Sequence, residues 1–258
     1  MKIHFHKYQA TGNDFVLIDN RDGNVSLSAE QIGKLCDRKF GIGADGVMLI
    51  EKHPTLDFNL VYYNRDGSPS LCGNGSRAAV KMAAALGIII SGHTKFNAYD
   101  GEHEAHLLTN GNVRLKMNDV RDVKKEGDTI FINTGSPHHI EFVRETEKVN
   151  VFKEGQSIRY SEKYKPAGTN VNFVELQPNE IMVRTYERGV EDETLSCGTG
   201  VTAAALAASF KGYKSPIKIK TPGGELSVEF TIGQQVTFKD IFLIGPAKKV
   251  FEGSFELE

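Results

Sequence analysis

The stretch Leu71-Cys72-Gly73-Asn74-Gly75-Ser76-Arg77 leads into Ala78-Ala79-Val80-Lys81-Met82-Ala83-Ala84-Ala85-Leu86-Gly87. The same pattern returns in the second half as Ser196-Cys197-Gly198-Thr199-Gly200, followed by Val201 to Phe210. Each copy reads Cys-Gly-x-Gly and then a run of strong helix formers, closed by Gly87 and Gly212. A polar turn after a Tyr-containing strand precedes each copy: Tyr62-Tyr63-Asn64 in one and Tyr186-Glu187-Arg188 in the other. A single Gly-rich turn is a weak signal. Two, each opening an Ala-rich helix and one per half, predict duplication of a whole domain, with strands wrapped closely around a central small-residue helix.

Outward from the first copy, alternation predicts strands over 2–8, 15–19, 46–51 and 57–63. Ser28 with Gln31 predicts a capping box opening a helix over about 29–39, with Ile32, Leu35, Cys36 and Phe40 on one face and Gly41 at its end. Runs at 94–99, 103–108 and 112–117 predict a meander turned at Asn110-Gly111, with a crossover near 117–120. In the second half, strands are expected at 129–133, 139–143, 171–176 and 181–186. Others follow at 216–220, 225–230, 235–239 and 241–244.

The chain has 258 residues, with 31 Lys and Arg against 33 Asp and Glu and a net charge of −2. That balance carries no basic footprint for nucleic acid. No run reaches the ~18 apolar residues of a membrane span, and the N-terminus lacks a signal-peptide core, so cytosol is the expected compartment. Three cysteines, Cys36, Cys72 and Cys197, with no Cys-x-x-Cys spacing, argue against a disulfide framework or a zinc ribbon.

A cysteine just ahead of a helix faces unpaired N–H groups and the positive end of the macrodipole. That setting lowers a thiol pKa from about 8.5, sometimes by several units. Glycines let N–H groups converge on a carboxylate. Two such turns acting on one ligand would put a sulfur on each face of the carbon beside its carboxylate. Taking the α-proton from one face and returning a proton to the other inverts the centre. No pyridoxal-phosphate lysine motif or nucleotide-binding glycine signature is present. The carbanion would then be stabilised by N–H donors and exclusion of water, with no cofactor and no metal.

These residues resemble diaminopimelate epimerase along essentially the whole chain. The resemblance lies in Thr11-Gly12-Asn13-Asp14-Phe15, Gly41-Ile42-Gly43-Ala44-Asp45-Gly46, Leu71 to Arg77, Gly168-Thr169-Asn170-Val171-Asn172-Phe173, and Tyr186-Glu187-Arg188-Gly189 with Ser196 to Gly200. It implies an α+β fold of two pseudo-symmetric domains. Each would be a curved, mostly antiparallel sheet or barrel around its Ala-rich helix. Their implied bounds are 1–117 plus 247–258, and 118–246. It also implies that Cys72 serves the L-centre and Cys197 the D-centre. The N–H groups around Gly73, Asn74, Gly198 and Thr199 would hold the reacting carboxylate. Asn13, Asn64, Asn170, Glu187 and Arg188 would recognise the distal amino acid end, with Glu187 also among the catalytic groups. His138 would assist proton transfer or polarise a cysteine. The implied partners are a small amino acid and a second copy in a homodimer. The chain departs from the family pattern at Ser136, where Asn is usual, at Phe40, and in a longer 189–194 stretch.

Other features read more plainly. Cys36 belongs to an apolar helix face. His4 and His6 share a strand face without a visible third ligand. His103-Glu104-Ala105-His106 has the wrong spacing for a helical zinc motif. Asp14 and Asp45 read as turn-stabilising residues, and Arg77, early in a helix, as serving packing or a local ion pair. Two other functions fit parts of the pattern. A racemase of another amino acid, of proline or histidine type, would share the paired thiols. A thiol redox sensor would share the helix-end cysteines.

Overall fold

The computed structural model describes residues 1–234 and 237–257. In chain order the strands of the first half are β1 (Lys2–Ala10), β2 (Asn13–Asp19), β3 (Gly46–Glu51), β4 (Phe58–Asn64), β5 (His93–Ala98), β6 (Gly101–Leu107) and β7 (Val113–Lys116). The next four are β8 (Val123–Glu126), β9 (Thr129–Asn133), β10 (Pro137–Val143) and β11 (Asn170–Gln177). Then come β12 (Glu180–Glu187), β13 (Asp192–Thr194), β14 (Ile217–Thr221), β15 (Gly224–Ile232), β16 (Phe238–Gly245) and β17 (Lys248–Glu256). The α-helices are α1 (Ala29–Cys36), α2 (Gly73–Ala85), α3 (Val151–Arg159) and α4 (Gly198–Ser209). Two compact units result, Met1–Leu115 with Gly245–Glu258, and Lys116–Ile244.

In the first unit the strands pair in the order β17-β1-β2-β3-β4-β5-β6-β7. The β2–β3 and β4–β5 pairs are parallel and the others antiparallel. In the second unit the order is β8-β9-β10-β11-β12-β14-β15-β16. There β10–β11 and β12–β14 are parallel and the others antiparallel, so the directions repeat pair for pair. The short β13 pairs with the end of β12. Parallel neighbours need a crossover, and a helix sits in each one: α1 and α2 in the first unit, α3 and α4 in the second. The repeat is offset along the chain, because β17, from the C-terminal end, takes in the first unit the place that β8 takes in the second.

Each Ala-rich helix packs against strands of its own unit: α2 against β1, β2, β3, β4, β6 and β17, and α4 against β9, β10, β11, β12, β14 and β15. A helix surrounded in this way needs small side chains on all sides. Accordingly Val201 to Ala208 are all buried, among Val174, Ile181, Val183, Ile219 and Val228.

Several boundaries differ from the sequence reading. The capping box opens α1 as expected: Gln31 N donates to Ser28 Oγ at 3.2 Å and Ser28 N to Gln31 Oε1 at 3.0 Å. The helix stops at Cys36, however, because Asp37 Oδ1 takes the N–H groups of Lys39 and Phe40, each at 2.7 Å. Phe40 is therefore off the apolar face and 81% exposed. Both Ala-rich helices begin inside the Gly-rich turns, with Cys72 and Cys197 at the N-cap positions. Helix α3 has weak apolar periodicity; Asn150 caps it by accepting from Lys153 N at 3.1 Å. The strand expected over 235–239 lies partly outside the described residues, and β16 runs through the break expected at 240.

Candidate active site

In the first unit the Cys72 backbone is extended (φ −134°, ψ 119°) and its carbonyl accepts from Ser76 N at 2.8 Å. That hands the chain into α2 with the side chain outside the helix. A Cβ on Gly75 would overlap the terminal methyl of Met48 of β3, so the turn and that side chain pack closely there. Asn13 opens β2, and its Oδ1 lies 3.4 Å from both Cys72 Sγ and Asn74 Nδ2. The other end of its amide donates to Asp45 Oδ2 at 2.5 Å. Asp45 also takes Asp14 N at 3.1 Å, and Arg38 pairs with both carboxylates. Asp45 thus fixes which way the Asn13 amide points, a role its turn-like sequence context hid. Asn64 ends β4, and its Nδ2 donates to Ser68 Oγ at 3.0 Å.

In the second unit Cys197 holds the same position (φ −111°, ψ 112°), and its carbonyl accepts from Val201 N at 2.9 Å. A Cβ on Gly200 would overlap Asn172 Oδ1 and crowd the Cys197 sulfur. Thr199 joins the groups of this turn. Its Oγ1 lies 3.5 Å from Cys197 Sγ, 2.9 Å from His138 Nε2 and 3.2 Å from Ser136 Oγ.

The hydrogen bonds decide the tautomer of His138. Asn172 Nδ2 donates to His139 O at 3.1 Å and to His138 Nδ1 at 3.1 Å, and Asn172 Oδ1 accepts from Thr185 Oγ1 at 3.0 Å. A carbonyl only accepts, so the amide orientation is fixed and Nδ1 is the acceptor. The proton sits on Nε2, facing the Thr199 and Ser136 hydroxyls. Complete burial, helped by the Arg188 charge, pushes the His138 pKa down to about 3. The ring is therefore a neutral, fixed donor near neutral pH, and Thr199 Oγ1 stands between its Nε2 and the Cys197 sulfur.

Asn170 begins β11 and is buried. Its Oδ1 accepts from Arg188 N at 2.8 Å, while its Nδ2 donates to Pro137 O at 2.9 Å and Ser136 Oγ at 3.2 Å. It therefore ties the Glu187-Arg188 corner to the His138 strand. Glu187, the last residue of β12, accepts from Thr194 Oγ1 at 2.9 Å, and Arg188 Nη1 donates to Ala167 O at 3.2 Å. The longer 189–194 stretch is anchored by Glu191, which accepts from Tyr186 Oη at 3.2 Å, Tyr160 Oη at 2.9 Å and Arg159 Nη2 at 3.1 Å.

The third thiol, Cys36, is buried, and burial pushes its pKa up to about 11. Among the described residues, two clusters of histidine and glutamate with closely spaced ligand-type atoms lie outside these turns. His4 and His6 gain Glu252 of β17, whose Oε2 is 3.1 Å from His6 Nδ1 and also pairs with Lys249. That ligand-type partner was invisible locally, since it comes from the far end of the chain. His93 of β5 meets Glu104 and His106 of β6.

The sequence model of the family described as diaminopimelate epimerase matches residues 5–123 and 130–250. A diaminopimelate epimerase from Flavobacterium psychrophilum is 48% identical, over 96% of this chain and 98% of its own length. One from Aquifex aeolicus is 41% identical over 99% of both. Among solved structures, a phenazine biosynthesis protein of the PhzF family from Bacillus anthracis aligns over 100% of both chains, with a TM-score of 0.79 and 13% identity. A hydroxyproline epimerase from Agrobacterium vitis gives 0.67 at 13% identity, over 98% of this chain and 92% of that one. Those two likenesses establish a shared fold. The family match and the near full-length relatives establish more: this chain belongs to the diaminopimelate epimerase family.

Proposed function

We propose that this protein interconverts LL- and meso-diaminopimelate in lysine and peptidoglycan precursor synthesis, with Cys72 and Cys197 as the two acid/base groups and no cofactor. The paired N-cap cysteine, one at the head of each unit's central helix, carries the proposal. Relatives named for this reaction match over nearly their whole length.

One thiol, as thiolate, removes the α-proton and becomes a thiol. The electron pair left on carbon spreads into the adjacent carboxylate. The other thiol then delivers its proton to the opposite face and becomes the thiolate. Charge and protons balance, and the reverse reaction exchanges the two roles. The carboxylate gains negative charge in the transition state, so donors aimed at it lower the barrier. First-turn N–H groups of Gly73, Asn74, Gly198 and Thr199 suit that task, because the start of a helix leaves them without intrahelical acceptors. His138 and Thr199 polarise Cys197. At the distal end Arg188 forks onto the second carboxylate, Glu187 accepts from the ammonium and also helps tune the site for proton transfer, and Asn13, Asn64 and Asn170 set orientation. Ser136 replaces a longer amide there and leaves one contact shorter. The protein works as a cytoplasmic homodimer in this reading.

A substrate screen in heavy water tests the proposal. Reduced protein is incubated with diaminopimelate stereoisomers, proline, hydroxyproline, histidine and glutamate, and deuterium at each α-carbon is followed. Fast exchange and inversion with diaminopimelate alone is expected. Faster inversion of another amino acid would reassign the substrate. Binding without any α-exchange would mark a binding protein or thiol sensor.

A further inference from the structure

Arg77 is fully buried, and it is one of the largest side chains with no solvent exposure. A charged side chain is almost never buried to that degree unless an opposite charge accompanies it. Here its hydrogen-bond partners are neutral: Asn74 Oδ1 at 2.9 Å, Thr11 Oγ1 at 3.2 Å and Gly73 O at 3.4 Å. Its Nε is buried with no partner. Among the described residues no carboxylate pairs with it. The nearby acids already have cations, since Asp14 pairs with Lys7 and Arg38, and Asp45 with Arg38. The charge that bears on Arg77 is that of Cys72: burial pulls the Arg77 pKa down to about 10 even against the upward push of the thiolate.

The second unit supplies an internal control. Five residues after its cysteine stands Thr202, also buried, whose Oγ1 donates to Gly198 O at 2.9 Å. Arg77 makes the matching bond to Gly73 O. The same carbonyl of the same turn is thus satisfied in both units, by a cation in one and a neutral hydroxyl in the other. The group supporting the Cys197 turn, His138, is itself neutral.

We infer that Arg77 is a positioning residue that makes Cys72 the more acidic of the two thiols, so that the resting enzyme carries its thiolate there. The inference rests on Cys72 being an acid/base group. Arg77 acts in two ways. Its bond to Asn74 Oδ1 turns the Asn74 Nδ2 towards Asn13, which holds the cysteine turn in one geometry. Its charge acts on the partly buried Cys72 sulfur from a guanidinium that is itself fully buried and so weakly screened on its own side. Asn13 Oδ1, 3.4 Å from the sulfur, works the other way by accepting from the protonated thiol. A long S–H···O contact is a weak bond, so the charge of the buried guanidinium prevails.

Two proteins that each keep a single thiol, Cys36→Ala/Cys197→Ala and Cys36→Ala/Cys72→Ala, test this without reference to turnover. The pH dependence of iodoacetamide alkylation and of thiolate ultraviolet absorbance gives each thiol's midpoint. Cys72 is expected to titrate below Cys197. Arg77→Met should raise the Cys72 midpoint by about one unit or more, a tenfold loss of thiolate at neutral pH. Arg77→Lys should raise it less, and the Cys197 midpoint should stay put. A folded Arg77→Met protein with an unmoved Cys72 midpoint, or a Cys197 midpoint below that of Cys72, overturns the inference. If Arg77→Met does not fold, the two single-thiol proteins with Arg77 intact still decide the order. A titration that fails while Cys72→Ala in the otherwise native protein is inactive defeats only this inference. Full turnover by Cys72→Ala would defeat the proposed function itself.

Discussion

The Cys72 and Cys197 turns share a backbone and differ in their supports. Both cysteines are extended N-caps, both turns carry a closely packed glycine at the third position after the cysteine, and both head a helix enclosed by strands of its own unit. Around Cys72 lie Asn13, Asn74 and the buried cation Arg77; around Cys197 lie the Thr199 hydroxyl and the neutral imidazole of His138. In the proposed reaction each turn is an anchor for the carboxylate, and each turnover starts with one thiolate and one thiol. The unequal supports are the basis for the inference that Cys72 is the more acidic of the two.

The comparison can be broken most severely at the sulfurs. Cys72→Ala and Cys197→Ala are each expected to lower epimerisation by at least on the order of a thousandfold, since general acid–base groups contribute on that scale. Circular dichroism should show the fold intact. Near-normal turnover in either variant would remove the equivalence of the turns.

A smaller effect is expected at the hydroxyl between His138 and Cys197. Thr199→Val removes it at nearly constant volume. Loss of a hydrogen bond to a charged group, about 1.5–3 kcal/mol, corresponds to a roughly 10- to 150-fold lower kcat. An unchanged kcat would mean that His138 does not act through Thr199.

Acid stability sharpens the contrast further. His138 has a folded pKa depressed to about 3 from an ordinary 6.5. Between those values the unfolded chain binds a proton that the folded one refuses, so stability is lost as pH falls from 6.5 towards 3. Lowering the pH from 7 to 5 should cost about 2 kcal/mol from this group. Urea unfolding at both pH values should show His138→Asn losing less stability than the parent. Equal losses would indicate a His138 that titrates normally. The smallest effect belongs to Cys36. Raised to about 11 and buried, it should escape alkylation in the native protein at pH 8, and Cys36→Ala should change turnover by less than about twofold.

Much of this architecture was legible in the residues. The repeated Cys-Gly-x-Gly announced the duplication because few turns tolerate that spacing of glycines, and the Ala-rich runs announced helices with close neighbours on all sides. Helix starts were misplaced because glycine has poor intrinsic propensity, and packing of Met48 and Asn172 against the turns overrode it. The site was legible as residue types and not as orientations. Nothing in Asp45 or Asn172 reveals that each fixes an amide whose direction sets a neighbour's chemistry, since those bonds join segments far apart in sequence. Arg77 looked like an ordinary helix residue because burial without a countercharge is a tertiary fact. Glu252, opposite His6, was hidden in the same way.

The central claim is that two thiols act on opposite faces of one carbon. The partition of solvent deuterium at low conversion tests it directly, starting separately from LL- and meso-diaminopimelate. The two-base account predicts deuterium at the inverted α-carbon of the product while recovered substrate keeps its protium, in both directions. Deuterium appearing equally fast in recovered substrate and product would mean a single base serving both faces, and would contradict the account.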